Sequence, residues 1–422
     1  GVVGGGESEI IASVHAGGRS LYNPLTFAIV DLDRASYGAG LRVTLPLRLG
    51  AAATRWSAGV DLQEQDDERR NFENCNDTVP LLLPTARCPD VSNERGALLL
   101  DQQEIITSAG VFLRGEVAFA QRYRVTLGAR ADDVKFKVED RLIIDGTNPD
   151  DSGERSLSAL SPVAGVVARV GRQTAVYANV SSAFETPTAT ELANQPDGSA
   201  GLNRDLKPQY ATSYEIGLKG EAAARSSRIQ YDVAVFVARV RDELIPFEVT
   251  DIPGRRYFRN AGRTDRRGAE AGLSATGGPV EAGAAYSYSD FEFVDYSVDG
   301  VSYAGNRIPG VPGQQLQLYA TWRRRGIFTT LEGMSSGRVA ANDANSAHVA
   351  AYYVMNARAG GSLEWRRSSF KPVIGLNNVF GRRYTASVSV NALGGRYHEP
   401  SPGRVVFGGL TLVFGGADAH NR

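Results

Sequence analysis

Lysine is almost missing from this 422-residue chain: it occurs five times among 46 basic residues, leaving 41 arginines. Neither sign of charge dominates. The 46 basic and 47 acidic residues leave a formal net charge of −1, which argues against a dedicated DNA or RNA binder. Cysteine occurs only twice and histidine four times, and no Cys or His pairing completes a zinc site. No uncharged apolar run reaches the roughly 18 residues that a membrane-crossing helix needs. A helical membrane protein is thereby excluded. A membrane barrel is not, because its strands alternate and escape hydropathy. At 42% hydrophobic and 22% charged residues, the chain is also no disordered tail.

Glycine is plentiful, at 47 residues, and suits a turn-rich β protein. The dominant pattern has period two. Tyr123, Val125, Leu127, Ala129 and Ala131 alternate with Arg124, Thr126, Gly128 and Arg130. Leu316, Leu318, Ala320 and Trp322 alternate with Gln315, Gln317, Tyr319 and Thr321, and Tyr214, Ile216 and Leu218 with Ser213, Glu215, Gly217 and Lys219. Each segment has one apolar and one polar face, as a half-buried strand requires. No long helical stripe interrupts them, and no blade-length repeat supports a propeller.

The connections narrow the choice. Short breaks near 50–51, 120–121, 171–172, 221–224, 277–278, 324–326 and 368–369 alternate with long polar segments at 67–97, 146–155, 184–207, 250–265, 291–312, 339–348 and 381–402. Tight turns at one end and long loops at the other are the mark of an outer-membrane barrel. The expected strands are 7–18, 26–48, 52–65, 98–120, 122–144, 156–170, 173–183, 208–221, 226–248, 265–277, 279–290, 313–324, 326–338, 349–367, 369–380 and 403–414. That makes sixteen, with 26–48 taken as one strand. The fold class is all-β: an antiparallel transmembrane barrel over residues 1–414, followed by a tail at 415–422. Cys75 and Cys88 close a short polar segment and read as a disulfide in an oxidising compartment.

From residue 183 the pattern becomes specific. Phe184-Glu185-Thr186-Pro187-Thr188-Ala189-Thr190-Glu191-Leu192 is followed by Leu206-Lys207-Pro208-Gln209 and Ser213-Tyr214-Glu215-Ile216-Gly217. Asn260-Ala261-Gly262-Arg263, Gly268-Ala269-Glu270, Pro309-Gly310-Val311-Pro312, Asn377-Asn378-Val379-Phe380-Gly381 and Glu399-Pro400-Ser401-Pro402 come next, in order. The last strand alternates Val406, Gly408, Leu410, Leu412 and Phe414, like the assembly signal of outer-membrane proteins. Together these resemble the barrel of TonB-dependent outer-membrane receptors, the ligand-gated importers of siderophores and cobalamin, over about 173–414. Gln209 stands where that family usually has Glu.

The resemblance implies a 22-strand barrel filled by an N-terminal plug, of which about six strands, the plug and the TonB box have no counterpart here. The chain opens Gly1-Val2-Val3, without Met, and reads as the C-terminal barrel portion of such a receptor. The implied function is high-affinity uptake of a ferric siderophore or similar metal chelate in the outer membrane of a Gram-negative bacterium. Two alternatives stand beside it: a passive sixteen-strand diffusion porin, and a receptor of the same family for cobalamin or a glycan.

No enzyme activity, cofactor or nucleic-acid partner is expected. Outer-membrane lipid and lipopolysaccharide are expected partners, TonB is a partner only through a plug, and the oligomeric state is a monomer. Arginine and aromatic clusters in the loops suit an anionic, ring-bearing chelate. They are Arg255, Arg256, Tyr257, Phe258 and Arg259; Tyr296, Tyr303 and Arg307; and Arg396, Tyr397 and His398. Glu215 and Glu270 lie at polar strand positions and face either a plug or solvent. Gly333-Met334-Ser335-Ser336-Gly337 matches a nucleophile-elbow pattern, but it sits at a strand end rather than between strand and helix.

Overall fold

Strict alternation of apolar and polar side chains becomes one long antiparallel meander. A computed structural model describes residues 8–25, 28–50, 52–75, 95–142, 150–193, 195, 201–224, 226–249, 256–365 and 368–414. The strands are β1 (Glu9–Pro24), β2 (Ile29–Leu49), β3 (Ala52–Asn74), β4 (Arg95–Phe119), β5 (Tyr123–Asp140), β6 (Gly153–Arg169), β7 (Thr174–Glu185) and β8 (Gln209–Ala224). Then come β9 (Ser227–Glu248), β10 (Arg256–Gly277), β11 (Val280–Asp295), the small loop hairpin β12 (Ser297–Val298) and β13 (Val301–Ser302), β14 (Gln314–Arg324) and β15 (Ile327–Ser336). A second hairpin, β16 (Val339–Ala340) and β17 (His348–Val349), precedes β18 (Tyr352–Gly361), which continues as β19 (Leu363–Trp365). The chain ends with β20 (Ser368–Asn377), a third hairpin of β21 (Thr385–Val388) and β22 (His398–Pro400), and β23 (Val405–Phe414). One short helix, α1 (Ala189–Ala193), lies between β7 and β8.

Setting the loop hairpins aside and counting β18–β19 as one, sixteen strands pair in chain order from β1 to β23. Each expected strand has one counterpart, and 26–48 is indeed a single strand. Among the described residues no ladder joins β1 to β23.

The ladders put each expected apolar face on one side. Leu127 pairs with Gly115 and Ala164, Ile216 with Ala178 and Val235, and Leu318 with Ala284 and Gly333. In a membrane barrel this face meets the hydrocarbon and the polar face meets the lumen. The lumen face explains much of the glycine. Gly217, Gly268, Gly283 and Gly375 sit directly across from Tyr177, Phe236, Tyr319 and Phe407. An added Cβ at any of them would come within 2.2–2.5 Å of that ring. Aromatic rings thus lie flat over glycine across the ladder, a known way of pinning register.

Several boundaries differ from expectation. Residues expected to begin or end in loops are strand: β1 runs to Pro24, β3 to Asn74, and β10 starts at Arg256 rather than 265. Past the hydrocarbon belt both faces are polar, so alternation fades while backbone pairing continues. The turns expected at 221–224 and 368–369 lie a few residues away, because Ala224 still ends β8 and Ser368 already opens β20.

Candidate functional site

The specific motifs fold the long loops against one another. Thr188 and Glu191 form a reciprocal capping box at α1: Thr188 N–H donates to Glu191 Oε2 (2.8 Å), and Glu191 N–H to Thr188 Oγ1 (3.3 Å). That satisfies the first-turn donors of a helix too short to stand alone. Burial holds the Glu191 carboxyl above its ordinary range, although both Thr188 contacts pull it down. Leu192 then drops into a core with Phe136, Val138, Leu157, Leu202 and Leu206. Arg69 Nη1 reaches across from β3 to Thr190 Oγ1 at 2.5 Å.

Gln209 closes the same loop. Its amide donates to Glu185 Oε2 (2.5 Å), and its carbonyl accepts from Leu244 N–H (3.1 Å). A glutamate there would face Glu185 with like charge and no donor. The departure from the family pattern therefore fits its surroundings. Asn260 holds Lys207 from both sides, accepting from its N–H (2.8 Å) and donating to its carbonyl (3.0 Å). Beside it Ala261 is fully buried, and a Cβ on Gly262 would meet the Asp295 carbonyl at 2.8 Å.

Asp242 has φ of +54°. The ladder with β10 keeps its register on both sides of this residue, but the buried positions of β9 change phase across it. Val240 and Glu243 both turn inward and are buried. Glu243 accepts from Thr264 Oγ1 and, at 2.8 Å, from Arg266 Nη2. Beyond Asp242, Ile245 and Ala261 face a second loop core with Phe293, Tyr296 and Ile308. Leu244 and Phe258 pack against the first.

Asp343, which is buried, ties this core to the remaining loops. It accepts from the Tyr296 hydroxyl at 3.1 Å, and its N–H donates to Asn391 Oδ1 at 3.0 Å. Asn391 Nδ2 donates to the Pro246 carbonyl (3.0 Å). Asn345 accepts from Arg307 N–H and donates to its carbonyl, both at 2.8 Å. Asn345 and Asn391 both have positive φ, +53° and +56°, which asparagine tolerates better than most residues. Burial first, and then the Asp343 charge, pushes the Tyr296 hydroxyl above its ordinary value.

The three loop clusters expected to face a ligand thus meet in one layer, though not all present their side chains. Tyr257 and Tyr296 are buried. The Tyr296 and Tyr303 rings lie 5.6 Å apart. The Arg259 guanidinium sits 3.6 Å from the Phe247 ring centroid. Phe258, Tyr303 and Tyr397 are half-buried. Arg307 and Arg396 are exposed but paired, with Asp290 (2.9 Å) and Glu248 (2.8 Å). His398 is exposed, with Nδ1 3.2 Å from Thr385 Oγ1. Arg255 lies outside the described residues, and Arg256 begins β10. Glu215 is on the lumen face, 3.4 Å from Asn179 Nδ2, and Glu270 lies on that face of β10. Sequence reading missed Asp343, Asn345, Asn391 and Glu248. The amide-rich run from Asn342 to Asn345 was the one signal for them.

Ser335 lies within β15, paired with Leu316 and Tyr353 on the apolar face. No strand-turn-helix elbow surrounds it. Among the described residues no group of three or more His, Cys, Asp or Glu side chains gathers to hold a metal. Cys88 lies outside the described residues, so its pairing with Cys75 stays an expectation.

This wall of strands with interlocked long loops defines a class of membrane receptor barrel. Residues 11–393 match the family described as TonB dependent receptor-like, beta-barrel. The chain belongs to that family. It is 21% identical over 300 residues to the probable TonB-dependent siderophore receptor PiuA of Acinetobacter baumannii, covering 67% of this chain and 38% of that protein. It is 23% identical over 297 residues to the ferric-pyoverdine 358 receptor of Pseudomonas putida, covering 67% and 33%. Its fold is similar to the unliganded ferric citrate transporter FecA, with a TM-score of 0.73 at 15% identity, over 96% of this chain and 59% of that one. The aligned stretches span 38% and 33% of these two curated relatives, and the whole chain spans little more than half of the solved receptor.

Proposed function

We propose that this chain is the barrel portion of a receptor that takes up a ferric siderophore or similar metal chelate across the outer membrane of a Gram-negative bacterium. The reading is carried by the loop layer joined through Asp343, Asn345 and Asn391. Arg259, Tyr303, Arg307, Arg396, Tyr397 and His398, all carried by these long loops and strand ends, are the side chains we offer for the ligand. Guanidinium groups and aromatic faces suit an anionic chelate through charge-assisted hydrogen bonds and cation–π contact. The relatives named for siderophores and ferric pyoverdine support the same class. Glu215 and Glu270 are the carboxylates we offer as contacts to a plug. Coupling to TonB would run through that plug, and no chemistry is done on the ligand.

The test is binding of a panel of ferric chelates, cobalamin and oligosaccharides to the full-length protein, read by intrinsic fluorescence. Binding of a ferric chelate, weakened about tenfold or more by Arg259→Ala combined with Arg396→Ala, is expected. A full-length protein that binds none of the ferric chelates overturns the reading. Binding of cobalamin or a glycan instead reassigns the ligand. A large, steady planar-bilayer conductance would identify the passive pore.

A further inference from the structure

The near-zero net charge hides a polarity along the barrel. Arginine stands in or beside every short turn except the one between β10 and β11. Arg122 lies at the tip of the β4–β5 turn, Arg172 at the tip of the β6–β7 turn, and Arg324 and Arg325 at the β14–β15 turn. All four are exposed, and among the described residues none of them makes an ion pair. The carboxylates nearest these turns are engaged elsewhere. Glu116 takes Arg114 (2.5 Å), Glu221 takes Arg228 (3.2 Å), Glu281 accepts from the Tyr319 hydroxyl (3.4 Å), and Glu364 accepts from the Ser362 hydroxyl (2.8 Å). At the long-loop end the pattern is reversed. There Arg70 and Arg95 share Asp31 (3.6 and 2.8 Å), Arg141 takes Glu68 (2.5 Å), and Arg307 and Arg396 take Asp290 and Glu248.

One of these arginines stands against the preference of its own backbone. Arg325 and Gly326 have φ of +52° and +77°, and they link the paired Arg324 and Ile327. A two-residue hairpin with both central residues left-handed favours Asn, Asp or Gly first. Arginine carries a Cβ that this conformation crowds. The turn itself does not account for the residue. What the position gains is a cation at the tip.

The tips stand at the far edge of an aromatic belt. Phe119 and Tyr123 stack across the β4–β5 turn with centroids 5.4 Å apart, and Trp322 comes just before the β14–β15 turn, all exposed. Outward aromatics mark the boundary between hydrocarbon and headgroups. The tight turns of an outer-membrane barrel face the periplasm, so the four arginines form part of its periplasmic rim. The β4–β5 and β6–β7 turns are two strands apart, roughly 10 Å. The β6–β7 and β14–β15 turns are six strands apart, roughly 30 Å. No small anion spans these gaps. A partner that engages several turns at once is an extended polyanion.

We propose that the short-turn rim docks a carboxylate-bearing polymer of the periplasm, the glycan–peptide mesh of the cell wall. Arg122, Arg172, Arg324 and Arg325 hold its free peptide carboxylates, because an arginine fork bonds a carboxylate bidentately. Each contact is weak in water, and linkage along one polymer multiplies them. The mesh presents such carboxylates repeatedly, on the side of the membrane that the short turns face. A lipid headgroup is a single small anion and has no use for arginines spread over separate turns. The proposal rests on the orientation of the barrel and not on the chelate reading.

The test is co-sedimentation of full-length protein, in mild detergent, with purified insoluble peptidoglycan sacculi. Wild-type protein should pellet with the sacculi in low salt and be released at about 1 M salt, where exposed charges are screened. Each exposed arginine should contribute up to about fivefold. The quadruple variant R122Q/R172Q/R324Q/R325Q should therefore bind about tenfold more weakly or worse. The Arg→Lys quadruple should keep most of the binding. Arg141→Gln, at the long-loop end, should pellet like wild type.

Undiminished pelleting of the Gln quadruple overturns the proposal, and so does equal wild-type binding to sacculi whose carboxylates have been amidated. Release from sacculi by phosphatidylglycerol vesicles of matched charge would make the rim a lipid-headgroup contact and overturns it too. Gel mobility with and without heating checks the fold. If the quadruple does not assemble, Arg325→Asn decides, since asparagine suits the left-handed backbone and keeps the turn. It should weaken pelleting about two- to fivefold, and wild-type pelleting by this variant counts against the proposal. Ferric-chelate binding, measured in parallel, should be unchanged in every variant, so failure of either reading is visible separately.

Discussion

The Tyr296 hydroxyl donates to Asp343 Oδ2 at 3.1 Å, joining the β11–β14 loop to the β15–β18 loop within a buried core. Among the described residues, Asp343 Oδ1 is buried without a hydrogen-bond partner. Burial accordingly raises the Asp343 carboxyl above its ordinary value, against the opposing pull of Asn391, Tyr296 and Arg259, and Glu243 adds to the rise. The closed layer thus favours the protonated acid. Its contribution is fully present below the usual carboxylate pKa near 4 and is lost as pH rises through the raised value. Protection factors, corrected for the intrinsic pH dependence of amide exchange, should be higher over 293–308 and 339–345 at pH 4 than at pH 7. Asp343→Asn should remove most of that difference, and an undiminished difference in the variant would assign it to another group.

Gln209→Glu should loosen the β7–β8 loop. It removes the amide donor to Glu185 and sets a second carboxylate at that 2.5 Å contact. A cost of about 1–3 kcal/mol is expected, from a lost hydrogen bond to a charged group plus repulsion. Limited proteolysis between residues 186 and 208 should speed up at neutral pH and slow again in acid. Restored resistance in the double variant with Glu185→Gln would confirm the pairing.

Thr188→Ala should cost about 1 kcal/mol of local stability through loss of the capping contact to Glu191 N–H. Thr188→Ser should retain most of it. The readout is exchange of the amides from Ala189 to Ala193, and equal protection in both variants would show that Leu192 burial alone holds α1.

Gly283→Ala should disturb register on the lumen face. Its Cβ would stand 2.3 Å from the Tyr319 ring. The ring must swing away, at about 1–3 kcal/mol for overpacking. Pairing the change with Tyr319→Ser should restore the unfolding temperature of the barrel. A single variant as stable as wild type would show that the ring moves freely.

The sixteen strands and their faces were legible in the chain because side-chain direction in a strand is local. Every second residue of Tyr123–Ala131 or Leu316–Trp322 reports its surroundings directly, whatever lies across the ladder. The strand ends were less legible. In β3 and β10 the backbone goes on pairing above the hydrocarbon, where alternation no longer carries a signal.

Of the candidate site, the residue types and loops were readable but their roles were not. Arg396 looked like a ligand contact until Glu248, 148 positions away, appeared at its guanidinium. Tyr257 and Tyr296 looked like exposed loop aromatics, and they are core.

What the sequence by itself determined is the period-two wall, the alternation of short turns with long loops, and the motif positions such as Thr188–Glu191 and Asn260–Gly262. These depend on backbone and near-neighbour physics. Only the tertiary structure decided that Asp343, Asn345 and Asn391 lock the loops together and that Glu248 takes the Arg396 guanidinium. Each depends on which distant segment supplies the partner. That choice is made by packing across loops and by ladder register, and no local pattern encodes it.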